Sequence, residues 1–149
     1  MSTREQIRDW FIDKLKTITR ANGYRNDVKS VSKSLGDLFN VRSLPALVVY
    51  LGTEDMQKSG EIFYLRTLNI AILGVSTTSR DTNDSGKMVD ANESLIDDII
   101  KCINDNEDEL KSTFNLTRAE FVSVEPLIVI DEGLLLGTIQ INYRLVYVQ

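Results

Sequence analysis

One stretch carries enough oxygen ligands to warrant a test for metal chemistry, Asp81-Thr-Asn-Asp-Ser-Gly86. It matches the first six positions of a calcium-binding EF-hand loop, where the glycine permits a sharp turn between ligands. The twelfth position breaks the match: Asn92 stands where a bidentate glutamate is required, and Glu93 comes one residue late. A strand pattern, instead of a helix, precedes the loop, so a plain polar loop is the better reading. Asp97-Asp98 and Asp131-Glu132 are adjacent carboxylates. Sequence neighbours point to opposite faces of a strand and do not face one another on a helix, so neither pair forms an acid/base dyad. Asp131-Glu132-Gly133 reads as a turn, with the aspartate hydrogen-bonding the backbone of the corner. No histidine and a single cysteine rule out Ser/His/Asp and Cys/His pairs, and any zinc site built from several such ligands. Cys102 lies on an apolar helical stripe and reads as a small buried hydrophobe. There is no Gly-x-Gly-x-x-Gly and no P-loop, so nucleotide binding has no motif support. The residues offer no catalytic constellation and no expected cofactor.

The totals narrow the field further. A chain of 149 residues is long enough to bury a core, and residues 1–149 read as one domain without repeat or linker. The net charge of -5 and isoelectric point near 4.8 argue against broad nucleic-acid binding as the main activity. An acidic surface can still guide DNA, because repulsion lets the polymer slide. The first residues run straight into an amphipathic pattern, so no signal peptide is expected, and no apolar run reaches the ~18–20 residues that span a bilayer. The expectation is a soluble protein made in a reducing compartment, with no membrane partner.

Elements that would position these residues follow in order. Ser2-x-x-Glu5 and Thr3-x-x-Gln6 are overlapping capping patterns, and Ile7, Trp10, Phe11, Leu15 and Ile18 follow at helical spacing. Asn22-Gly23 supplies a left-handed stop, and Trp10, mid-stripe, is expected to pack within the domain. Residues 24–43 are mixed. Leu44 to Leu51 predicts a strand entered by proline and closed by Gly52, with Thr53 to Gly60 as a polar turn. In 61–75, Ile62, Tyr64, Leu68, Ile70 and Ile72 share one parity, interrupted by Arg66, which predicts a second strand paired to the first. Ser76 to Lys87 lacks apolar periodicity and reads as a mobile loop. Asp90-x-x-Glu93 opens a second helix whose stripe is Leu95, Ile96, Ile99, Ile100 and Ile103, and the acidic run 104–109 reads as solvated. A closing hairpin begins at Phe121, with Pro126 marking an edge strand or a bulge. In its second arm Ile139, Ile141, Tyr143, Leu145 and Tyr147 alternate with Thr138, Gln140, Asn142 and Arg144. The expected fold is α+β: an antiparallel sheet covered on one side by two helices.

Such a sheet has a second face that is either solvated or buried against copies or a partner. Val146 and Val148 extend that face with apolar character. The order of elements, with Leu44-Pro-Ala-Leu-Val-Val-Tyr-Leu-Gly-Thr-Glu54, Val124-x-Pro126, Asp131-Glu-Gly133-x-x-x-Gly137 and Tyr143-x-x-x-Tyr147, resembles the tail terminator (minor tail, tail-completion) proteins of tailed bacteriophages. The resemblance covers nearly the whole chain but has no clear counterpart for residues 24–43. It implies a structural virion protein, with no bond chemistry, that forms a ring, typically hexameric, on the head-proximal end of the tail tube. There it would stop tube polymerisation and present the surface that meets a head-completion or connector protein, while DNA passes through without specific binding. A closed ring needs two different complementary patches on each copy. Exposure patterns place them at Gln140, Asn142 and Arg144 on the hairpin and at Arg80, Asp81, Asp84 and Lys87 in the polar loop. A head–tail connector or another non-enzymatic interaction module is the alternative; a small histidine-free enzyme has the least support.

Overall fold

The computed structural model describes residues 2–39, 42–60 and 62–148. Helix α1 (Thr3–Leu15) starts where the capping box predicts. The Ser2 hydroxyl accepts from the Glu5 amide at 3.3 Å, and the Glu5 carboxylate accepts from the Ser2 amide at 2.9 Å. The Ser2 amide, and then the Ser2 hydroxyl donating to the same carboxylate at 3.2 Å, hold the Glu5 carboxyl below its ordinary pKa. The helix ends earlier than the Asn22-Gly23 signal. Gly23, at φ +90°, instead closes a separate 3-10 turn at Arg20–Asn22.

Five strands follow: β1 (Ser30–Ser32), β2 (Ala46–Ser59), β3 (Phe63–Ser79), β4 (Leu116–Asp131) and β5 (Leu134–Val148). They form one sheet in the order β1-β2-β3-β5-β4. Two further helices, α2 (Ser85–Asp105) and α3 (Glu107–Phe114), lie between β3 and β4 in the chain. The architecture is α+β, with two corrections to the expected form. The sheet is mixed, since β1 runs parallel to β2. Among the described residues there are three α-helices, because the acidic run at the end of α2 turns once at Asn106 and continues as α3, anchored by the buried Leu110.

Other boundaries move for identifiable reasons. Residues 53–59 are not a turn: β2 continues past Gly52 with a bulge between Leu51 and Glu54. A Cβ at Gly52 would lie 2.8 Å from the Asn69 carbonyl oxygen, so glycine here lets the two strands approach instead of ending one of them. The turn itself is shorter, with Gly60 at φ +72°. The expected mobile loop 76–87 is mostly regular. Ser76 to Ser79 complete β3, Thr82–Asp84 form a 3-10 turn, and α2 begins at Ser85, ahead of the capping pattern at Asp90. Buried Ser76 donates to Asn92 Oδ1 at 2.6 Å, tying the strand end to the helix. The closing hairpin starts at Leu116, ahead of Phe121, and β4 is an edge strand containing Pro126, as the missing donor requires. Within 24–43 the chain forms β1 and a 3-10 turn at Leu35–Phe39, while residues 40 and 41 lie outside the described residues.

The main core joins the helices to one sheet face. Ile7, Phe11 and Leu15 of α1 and Leu95, Ile99, Cys102 and Ile103 of α2 pack with Leu47, Val49, Leu68, Ile70, Ile72 and the alternating set Ile139 to Tyr147. Trp10 is half-buried against this core, and Cys102 is fully buried. A smaller cluster, Leu38, Ala46, Val48, Val75 and Leu136, includes strand residues of the opposite parity and a residue of the 3-10 turn.

Candidate assembly surface

Away from that small cluster, no α-helix residue among the described residues joins a buried cluster on the second sheet face. Strand register sets what it presents. Tyr50, Ala71, Asn142 and Ser123 are successive cross-strand partners, as are Asn69, Arg144 and Glu120, and then Asp55, Thr67, Val146 and Arg118. Directly opposed residues share a face, so these rows lie side by side. The three predicted hairpin residues are therefore brought together. Gln140 Nε2 donates to Asn142 Oδ1 at 3.0 Å, Asn142 Nδ2 donates to Ser123 Oγ at 2.7 Å, and Arg144 pairs with Glu120 at 3.6 Å. All three are partly exposed. The face is gently hollowed: a depression of 490 Å³ spans Asn69, Arg144 and Arg118, and one of 330 Å³ spans Tyr50, Ala71 and Gln140.

Arg80, Asp81, Asp84 and Lys87 lie elsewhere. They follow the far end of β3, ten residues along the strand from Asn69 to Ser79, roughly 33 Å at the usual rise. There Asp84 accepts from the Ser79 hydroxyl at 2.7 Å and pairs with Lys87 at 3.8 Å, while Asp81 accepts from the Asn83 amide at 2.9 Å. Arg80 is exposed. The two predicted patches are thus separate surfaces.

The same local geometry bears on the calcium motif. Gly86 lies inside α2, so it makes no sharp turn, and Asp81 and Asp84 already serve the turn and the strand end. No group of three His, Cys, Asp or Glu side chains able to hold a metal occurs among the described residues. Titration calorimetry with millimolar calcium should give no binding heat; a saturable heat with one-to-one stoichiometry would restore the EF-type reading.

The paired carboxylates also divide as their spacing implies. Asp97 points outward to Arg25 at 3.5 Å, and Asp98 is buried and accepts from the amides of Arg25 and Asn26. Glu132, at φ +49°, and Gly133, at φ +78°, shape the β4–β5 turn.

Sequence reasoning did not find a charged cluster on the helix-facing side. The Glu54 side chain is only 6% exposed and lies between Arg4, at 3.5 Å, and Arg66, at 3.7 Å, while the Tyr147 hydroxyl donates to it. Arg66, the residue that broke the strand parity, was its only signal. The cluster fastens α1 to the point where the β2–β3 arm leaves the core. Burial, and then the Glu54 bond, push the Tyr147 hydroxyl up to about 12; burial does the same to Tyr24. Both are raised above the ~10 of an unfolded tyrosine, so their contribution is complete below about pH 10 and is lost as pH rises toward 12. Denaturation midpoints measured at stepped alkaline pH should fall across that window, in step with tyrosinate absorbance. A flat profile would count against these buried hydroxyls.

Neither models of known protein families nor curated protein sequences match this chain.

Proposed function

We propose that this chain is an assembly protein of the tail-terminator type: a ring subunit that caps the head-proximal end of a bacteriophage tail tube. The observation that carries the reading is the part of the second sheet face beyond the 3-10 turn at Leu35–Phe39, where no α-helix residue joins the buried clusters among the described residues. A sheet face of this kind is either solvated or covered by other chains. Gln140, Asn142 and Arg144 are held there by bonds to Ser123 and Glu120, so their side-chain freedom is already reduced before any partner arrives. A second, separate patch at Arg80 to Lys87 supplies the different surface that head-to-tail closure demands.

Apolar exposure adds support. Met56, Ile62, Phe63 and Tyr64 stand exposed on the β2–β3 arm, and Leu127 and Ile130 on the β4–β5 hairpin, at the other end of the sheet. Apolar ends of this kind suit contacts with a tube on one side and a head-completion protein on the other. The net charge of -5 suits a lumen that lets DNA pass without holding it. The protein would reside in the virion, at the head-proximal end of the tail. Among the described residues, no helix is long and apolar enough to cross a membrane.

Arg144→Glu tests the surface directly. It sets like charges at 144 and 120, and we expect impaired oligomerisation with a folded monomer whose stability changes by about 1 kcal/mol or less. Native mass spectrometry with negative-stain microscopy, with and without purified tail tubes, is the deciding measurement. A six-membered ring, or one that appears on adding tubes, supports the reading. A strict monomer that never caps tubes would sink it, and a ring that binds only a head connector would favour the neck-protein alternative.

A further inference from the structure

Two different sheet edges are open on the same chain. Among the described residues β4 pairs with no strand but β5, and Asn92 of α2 donates to its Leu127 carbonyl at 3.3 Å, well away from Arg118. At the other edge β1 covers just Ala46, Leu47 and Val48 of β2. Arg4 donates to the Gly52 carbonyl, and beyond it the stretch from Glu54 to Ser59 has no strand on its outer side among the described residues. Open edges present unpaired amides and carbonyls that favour pairing with another chain.

These edges carry opposite charges in a single row. Asp55 on β2, Thr67 on β3, Val146 on β5 and Arg118 on β4 are consecutive partners across the sheet, and all four line the 490 Å³ depression. Asp55 and Arg118 are both exposed, and neither side chain has an ion-pair or hydrogen-bond partner among the described residues. Three strand spacings, about 14 Å in all, keep them apart within one molecule. The charges that cannot meet inside a copy are placed to meet between copies.

We propose that Arg118 at the β4 edge of one copy pairs with Asp55 at the β2 edge of the next, in a short strand addition that continues the sheet from copy to copy. This rests on the ring reading above and names its contact. Strands β4 and β2 run in opposite directions, since each step β2–β3, β3–β5 and β5–β4 is antiparallel. The junction that keeps the sheet's sense is therefore antiparallel, the form with the better hydrogen-bond pattern. Main-chain bonds supply attraction, and the charge row sets register. The contact is heterologous, so repetition generates a ring when the rotation closes. Pro126 removes a donor from the far half of β4, and bulges at Leu116/Arg118 and Phe121/Ser123 shorten the usable edge. A contact limited to a few residues around Arg118 depends heavily on its one charge pair.

The test is a charge-swap cycle in the full-length chain: Arg118→Asp, Asp55→Arg, and both together, with circular dichroism and thermal melts confirming the fold of each. Oligomer populations are read by native mass spectrometry over a concentration series. Each single reversal should raise the apparent dissociation constant about tenfold or more, because like charges then face each other. The double reversal should recover most of that loss. Four variants assembling alike would overturn the edge pairing and leave the ring reading standing. Disruption by Arg118→Asp without recovery in the double variant, as expected of a two-fold β4–β4 contact or a foreign partner, would overturn it as well. A wild-type chain that stays monomeric at every concentration and on tail tubes would remove both.

Discussion

Phe11→Ala is expected to destabilise the protein by about 3–5 kcal/mol. Phe11 is fully buried, and its ring meets Trp10 edge-on at 5.1 Å and Tyr143 at 5.5 Å. Tyr143 in turn meets Phe121 at 4.8 Å, so a single line of rings couples α1 to β5 and β5 to β4. Truncation removes the transfer free energy of the ring and leaves a cavity that rigid strands cannot close. Set against a total stability of roughly 5–15 kcal/mol, that is a large fraction. The denaturant midpoint should fall while the slope stays constant. A loss below about 1 kcal/mol would mean that α1 does not pack on β5 as described.

Asp98→Ala is the second large effect, at about 2–4 kcal/mol. The side chain is 3% exposed and accepts from the Arg25 amide at 3.1 Å, the Asn26 amide at 2.9 Å and Asn26 Nδ2 at 2.7 Å. Alanine leaves these donors without an acceptor in a site shielded from water, and hydrogen bonds to an ionised group are the stronger kind. Hydrogen exchange at the Arg25 and Asn26 amides should accelerate by more than global destabilisation explains. Asp98→Asn, which keeps one acceptor, should lie between alanine and wild type. Equal stability of all three proteins would contradict the bonding described.

Both effects lie in parts of the fold that differ in legibility. The α1 stripe and the alternation from Ile139 to Tyr147 were readable because each pattern has one covered side: burial selects apolar residues at a fixed period, and Ile7, Phe11, Leu15, Ile141, Tyr143 and Leu145 are all buried. The arm 53–59 was not, for the converse reason. Asp55, Met56, Gln57 and Lys58 are all exposed and the covered side chain of Glu54 is charged, so no apolar period shows, and only pairing with β3 makes them a strand. Helix α3 buries a single residue, Leu110, too little for a period to show. The role of Asp98 was hidden because its donors, some seventy residues earlier in the chain, are mostly backbone amides. Of the candidate surface, Gln140, Asn142 and Arg144 followed from parity alone. Their separation from Arg80 to Lys87 needed the register of β3 with β5. Arg118 and Asp55 required the strand order, which fixes them at opposite ends of one row.

That order also bears on how the chain reaches its fold. The pairs β2–β3 and β4–β5 are each local hairpins, whereas the central β3–β5 pairing joins positions as distant as Leu65 and Val148. Closing so long a loop loses chain entropy before the pairing returns any stabilisation, so the slow step should be the docking of two formed hairpins. Until they dock, the facing edges of β3 and β5 are bare, and the rate of that single closure sets how long each new chain is exposed to wrong partners.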